Sequence, residues 1–344
     1  MLLLKWSLLL IILNSISSYP DKSPVTSFPS NFVPYAPIEK SFSPDVINYF
    51  SMFASIGYCS QEEIITNRCC NSFITENGWT LLDSGLDPKN KKYNYAIFIN
   101  DEYKKIVITV PGTRNTKELI SEIGQSLLVP FDPTTEMRVV KYFKDRAFSI
   151  KDQLFSDKNK NIINSNKNYQ IIFTGHSLGG AVATILSLYS IKSSFINPSH
   201  NEPILITFGQ PRSGNDVFAN EVMKHIPKIF RIVRQGDIVP TIPSCVKSIF
   251  GSCKTIFADG IFDYTYELKE RSIFKEFFRV NVNYWHIGGL VVLDKEMNEY
   301  SICDYNRGEN HIGDCDNKQS LDFTMHTYYV NKDVSISERC SSYS

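Results

Sequence analysis

The chain has 344 residues, 42% of them hydrophobic and 21% charged, an ordinary globular composition large enough for one sizeable α/β core. Thirty-six basic side chains balance thirty-six acidic ones, so no net field recruits nucleic acid or an anionic membrane.

Residues 1–18 have the order of a secretory signal: Lys5, then a wholly apolar run at 8–13, then the small residues Ser15, Ser17 and Ser18. That run is too short to span a bilayer comfortably, so no transmembrane anchor is expected once the signal is removed. Export predicts an oxidising compartment, and eight cysteines, an even number, suit disulfides whose pairing the sequence alone does not fix. No His or Cys residues stand at zinc-ligand spacing, so neither metal nor cofactor is expected. The one Asn-x-Ser triplet, at Asn197, contains Pro198, so ordinary N-glycosylation is not expected.

Prolines 20, 24, 29, 34 and 37 make residues 19–43 an extended arm or a propeptide. From Pro44 the pattern predicts a helix with Val46, Ile47, Phe50, Phe53 and Ala54 on one face, opening a catalytic domain over 44–344. Apolar runs at 95–99 and 106–110 predict a hairpin. Further strands are expected at 170–173, 204–208, 229–233 and 289–293, with helices at 181–191 and 217–226. Such alternation predicts an α/β fold, a mostly parallel sheet flanked by helices. Residues 244–283 interrupt the pattern and look like an insertion.

The strand ending Ile171-Ile172-Phe173-Thr174 runs into Gly175-His176-Ser177-Leu178-Gly179 and a helix of small residues. A nucleophilic serine needs such a place: a strained strand-to-helix turn exposes its hydroxyl, and flanking glycines leave the turn room. The helix starting there adds a dipole that favours negative charge at the site. Ser177 needs a base and a carboxylate to orient that base. Asp237 suits the acid, since it follows the strand at 229–233 by a short turn at the end where sheets display their chemistry. Three downstream histidines compete for the base: His286 at a strand start, His311 in a polar loop, and His326 near the chain end. Periodicity leaves His286 and His326 both open.

Four segments together resemble the fungal-type class 3 lipase family: Val110-Pro111-Gly112-Thr113, residues 175–180, Phe208-Gly209-Gln210-Pro211-Arg212-Ser213-Gly214-Asn215, and Asp237-Ile238-Val239-Pro240. The resemblance covers about 44–340 and implies an α/β-hydrolase fold with a helical lid. It carries the nucleophile onto Ser177, the acid onto Asp237, and the base onto His326 through a His-x-x-Tyr segment ending at Tyr329. The Tyr284, His286 and Gly288 segment matches a structural element of the family, except that Gly289 stands where an acid is usual. The oxyanion hole falls on Thr113 and Leu178. Family bridges imply pairing of Cys59 with Cys340 and of Cys303 with Cys315, leaving Cys245–Cys253 to staple the insertion and Cys69 and Cys70 unassigned.

Residues 114–129 carry Leu119, Ile120, Ile123, Leu127 and Leu128 at helical spacing, and the resemblance makes this segment the lid. The function implied is a secreted serine ester hydrolase, a lipase acting on acylglycerol esters through an acyl-enzyme. Its partner would be a lipid ester at an oil–water or membrane interface. A phospholipase or other carboxylesterase on the same site, or a non-catalytic lipid-binding protein of the same fold, are the alternatives.

Overall fold

Strands covered by helices on both faces must be apolar throughout, and Lys105–Val110, Gln170–His176 and Pro203–Phe208 are buried along their whole length. A computed structural model of the protein describes residues 17–18, 44–66, 68–86, 93–113, 115, 119, 121–123, 127–243, 246–247, 253–254, 285–295, 297, 299–303, 324–329 and 335–340.

The described elements begin with β1 (Ser17–Ser18), α1 (Pro44–Ile56), α2 (Gln61–Ile65), α3 (Asn71–Glu76), β2 (Thr80–Leu86), β3 (Tyr93–Asn100) and β4 (Lys105–Val110). Next come β5 (Leu128–Pro130), β6 (Arg138–Val140), α4 (Lys141–Leu154), α5 (Asp157–Ser165), β7 (Gln170–His176), α6 (Leu178–Lys192) and β8 (Pro203–Phe208). The remainder are α7 (Asp216–His225), β9 (Lys228–Arg234), β10 (Val246–Lys247), β11 (Cys253–Lys254), β12 (Gly289–Leu293), β13 (Glu299–Cys303) and α8 (Thr324–Thr327).

Nine strands form one sheet in the order β1-β13-β12-β9-β8-β7-β4-β3-β2. Its centre, β12-β9-β8-β7-β4, is parallel, and antiparallel strands close both edges. Val110 stands opposite Gly175, and His176 opposite Phe208, so the carboxyl ends of β4, β7 and β8 lie level. This is the mostly parallel α/β sheet that the alternation predicts, with the hairpin at β3 and β4.

Alternate residues of each strand serve opposite faces. Ile106, Ile108, Ile171, Phe173 and Leu205 join the core under α4, α6 and α7. Val107, Ile172, Ile204, Ile206 and Phe208 join the core under α1 and the carboxyl-terminal segment. Here α1 departs from expectation, because it is buried all round rather than on one face. One side packs on β4, β7 and β8, and the C-terminus covers the other. There Arg339 Nη2 donates to Asn48 Oδ1 at 2.6 Å, and the Cys340 N–H to Ser55 Oγ at 3.0 Å.

The disulfides correct the pairing that the resemblance implied. Cys59 bonds Cys69, and Cys340 bonds Cys70, with Cα separations of 6.2 and 4.5 Å. Adjacent Cys69 and Cys70 thus take separate partners and avoid a strained bond between neighbours. The tie between the N-terminal helices and the C-terminus survives, moved from Cys59 to Cys70. Cys245 and Cys315 lie outside the described residues, and of the inserted stretch only the short β10–β11 ladder is described.

Candidate active site

The turn after β7 is held open by strain. Ser177 has φ 57° and ψ −127°, a conformation costly for a residue with a side chain, and its N–H is tied to the Phe208 carbonyl at 2.8 Å. Gly175 and Gly179 permit the close crossing of β7, β4 and α6. A Cβ on Gly175 would lie 2.5 Å from the Gly179 carbonyl carbon, and one on Gly179 would run into Val110 and Pro111.

Opposite the serine stands His326, in the single turn α8. Its Nε2 is 2.7 Å from Ser177 Oγ, and its Nδ1 is 2.8 Å from Asp237 Oδ2 and 3.1 Å from Oδ1. A carboxylate only accepts, so Nδ1 carries the proton and Nε2 is left as the acceptor for the serine hydroxyl. Asp237 follows β9 after the Gln235-Gly236 turn and also accepts from the Val239 N–H at 2.8 Å and from the Tyr329 hydroxyl. Burial and the Asp237 charge hold the Tyr329 hydroxyl well above its usual pKa, so it stays a donor. All three of Ser177, Asp237 and His326 are buried, out of reach of solvent.

Thr113 follows β4 by two residues, is half-buried, and its hydroxyl accepts from the Asn115 N–H at 3.2 Å. Leu178 is the first residue of α6, where a backbone N–H has no acceptor within its own helix. Leu178 adjoins Ser177 in the chain, and Gly112, the residue before Thr113, lies against the same turn: a Cβ on it would be 2.6 Å from the His176 carbonyl oxygen. His286 is elsewhere occupied, beside Arg231 and Arg212 and bonded to the Pro240 backbone. His311 lies outside the described residues. Of the segment expected to be a lid, Leu119 and Ile123 are buried in the main core and Leu127 is 72% exposed, while 114, 116–118, 120 and 124–126 lie outside the described residues.

Several contributors escaped the sequence reading. Tyr58 and His176 form a hydrogen-bonded pair beneath His326, and Arg234 Nη1 donates to the Tyr328 carbonyl at 2.7 Å. Gly209, with φ +55°, borders His326 directly: a Cβ there would lie 2.9 Å from His326 Cε1 and 3.0 Å from Asp237 Oδ2. The rest of the Gly209–Asn215 segment is scaffold. Gln210 bridges Thr207 and Ser213, while Asn215 caps α7 through the Phe218 N–H and accepts from the Arg138 N–H at 3.0 Å. A glycine whose role is to make room leaves no chemical signature; only its place in a distinctive segment marks it.

A level row of parallel strand ends carrying a strained serine turn defines an α/β-hydrolase fold. Residues 107–247 match the model of the class 3 lipases. A lipase of Caenorhabditis elegans is 30% identical over 153 residues, 44% of this chain and 42% of that protein. A secreted mono- and diacylglycerol lipase of Fusarium solani is 28% identical over 205 residues, 58% of this chain and 50% of that one. The matched part thus spans about half the length of these curated relatives. Among solved structures, the lipase propeptide complex of Rhizomucor miehei superposes with a TM-score of 0.64 at 20% identity, covering 85% of this chain and 81% of that one.

Proposed function

We propose that the protein is a secreted serine ester hydrolase that cleaves acylglycerol esters. The observation that carries this reading is one imidazole, His326, hydrogen-bonded on one nitrogen to Ser177 Oγ at 2.7 Å and on the other to Asp237 at 2.8 Å. Ser177 is the nucleophile: its oxygen adds to the ester carbonyl while His326 Nε2 takes the hydroxyl proton. Thr113 and Leu178 stabilise the resulting oxyanion. The carbon–oxygen bond to the alcohol then breaks, His326 returns the proton to the leaving oxygen, and an acyl-serine remains. Water repeats the sequence, giving its proton to His326 as it adds and releasing the fatty acid as Ser177 recovers its hydrogen. Asp237 fixes the tautomer and stabilises the imidazolium formed in both halves.

The acylglycerol class is supported by the mono- and diacylglycerol specificity named for the Fusarium solani relative and by the apolar segment at 114–129. Ser177 is buried, so a bulky ester reaches it only if the structure opens; we assign that opening to the segment at 114–129, since an oil surface can bury the Leu119 and Ile123 side chains its movement would expose. The apolar run at 8–13 and two disulfides support export, with 1–18 as the signal and 19–43 as an arm or propeptide. The test is a panel of emulsified triglyceride, phospholipid and soluble short-chain ester, with labelling by an active-site phosphonate. The parent should react at Ser177 and prefer emulsified acylglycerol, and Ser177→Ala should lose about ten-thousand-fold in turnover while keeping its melting temperature. A parent that binds lipid yet leaves the phosphonate unreacted overturns the reading.

A further inference from the structure

We propose that Tyr58 and His176 form a positioning pair for the base, holding His326 by its own backbone carbonyl and by the face of its ring. This rests on the hydrolase reading and adds to it residues outside Ser177, His326 and Asp237. His176 Nε2 lies 2.9 Å from the His326 carbonyl oxygen, which can only accept, so that nitrogen carries the hydrogen. Nδ1 is then a bare lone pair, and the Tyr58 hydroxyl donates to it at 2.5 Å. Tyr58 therefore fixes the tautomer that His176 needs in order to grip His326.

The two imidazoles also lie face to face, with centroids 4.5 Å apart and planes inclined by 30°. When His326 takes the serine proton it becomes a cation lying over the His176 ring. A neutral ring supports that charge, and a protonated one would repel it. Burial, with the His326 ring beside it, pushes the His176 pKa well below its ordinary value, so His176 stays neutral through the cycle. The Tyr58 hydroxyl also sits directly over Gly112, so the same side chain steadies the loop that ends in Thr113. Cys59, the next residue, anchors Tyr58 through its bond to Cys69.

The experiment compares full-length parent, His176→Gln, His176→Phe and Tyr58→Phe on a soluble short-chain ester, with phosphonate labelling rates and melting temperatures. Gln places its amide nitrogen where Nε2 lies and can donate to the carbonyl, whereas Phe keeps the ring volume and cannot. We expect His176→Phe to lose roughly 30-fold in kcat with KM little changed, and His176→Gln to recover about ten-fold of that. Tyr58→Phe should lose several-fold in kcat with KM little changed, because the His176 tautomer is then no longer fixed. Should His176→Phe not fold, His176→Asn supplies the contrast, because its shorter amide falls at the Nδ1 position. Phe (or Asn) matching Gln in kcat, or losses that follow melting temperature alone, overturn the positioning role while leaving the hydrolase reading intact. A parent inert to the phosphonate overturns both.

Discussion

Two segments leave the carboxyl-end side of the sheet, and they differ in how they are attached. The segment carrying His326 is pinned by polar contacts at successive points. His176 holds the His326 carbonyl, Arg234 the Tyr328 carbonyl, Asp237 the Tyr329 hydroxyl, and the Ile336 N–H reaches the Thr327 carbonyl at 2.9 Å. Cys70–Cys340 then crosslinks the chain beyond it. Of the segment following Thr113, Leu119 and Ile123 are buried in the main core and Leu128 packs against it, the Leu127 carbonyl accepts from the Lys141 N–H at 2.8 Å, and the Leu127 side chain is 72% exposed. Polar and covalent ties fix geometry to fractions of an ångström, which proton transfer needs. Apolar burial fixes little geometry, and another apolar phase can replace it. Under the proposed function, the difference separates the part assigned to the reaction from the part assigned to covering it.

If the pinned segment carries the chemistry, its ring should matter most. His326→Ala should lose about ten-thousand-fold in kcat/KM on any ester, whereas His286→Ala should stay within about three-fold and lower the melting temperature instead. The reverse pattern would move the base to residue 286. Next in size is Gly209→Ala, which adds one methyl 2.9 Å from His326 Cε1 at a backbone φ of +55°. Displacing the base by a fraction of an ångström should cost roughly a hundred-fold in kcat with KM nearly unchanged. A silent Gly209→Ala would mean the segment yields more readily than its anchors suggest.

A smaller effect concerns stability. Below pH 6.5 the unfolded chain protonates His176, while the folded chain keeps it neutral because burial holds its pKa down. The unfolded state then binds the extra proton, so stability falls as pH drops below that point, by up to about 1.4 kcal/mol per pH unit from this residue, and is unaffected by it above. Urea midpoints between pH 7 and pH 5 should therefore slope less in His176→Gln than in the parent. Parallel slopes would remove His176 as the titrating group.

The sequence makes Ser177 and Asp237 legible because their neighbours encode them. A strand, a turn and a small-residue helix surround the first, and a strand end precedes the second. The proposed base is less legible. His326 is 149 residues from Ser177, and no local pattern records a contact closed at that distance; only the resemblance chose it over His286. The all-round burial of α1 was hidden for a related reason, since its outer face is covered by Arg339 and Cys340 from the far end of the chain. The strand β2 has no alternating pattern to announce it: its Asp83 accepts from Tyr95, Lys158 and Asn159, so tertiary pairing rather than periodicity keeps it in the sheet. Cysteine pairing was similarly closed to counting, because Cys59 and Cys70 differ only in where α2 and the turn before α3 carry them.

The smallest effect tests the covering segment, and its sign matters more than its size. Leu119→Ala combined with Ile123→Ala removes the segment's two fully buried side chains among the described residues. Were the segment a permanent part of the core, each truncation would cost roughly 2–5 kcal/mol, with no gain in activity. Were it a cover in equilibrium with an open state, part of that loss would instead bias the equilibrium toward opening. Hydrolysis of a soluble ester should then rise by about two- to five-fold, while the stimulation given by an emulsified surface shrinks by the same factor, because less remains for the surface to open. A variant that melts earlier yet gains nothing on the soluble ester would make the segment ordinary core, and access to the buried Ser177 would have to come from another side.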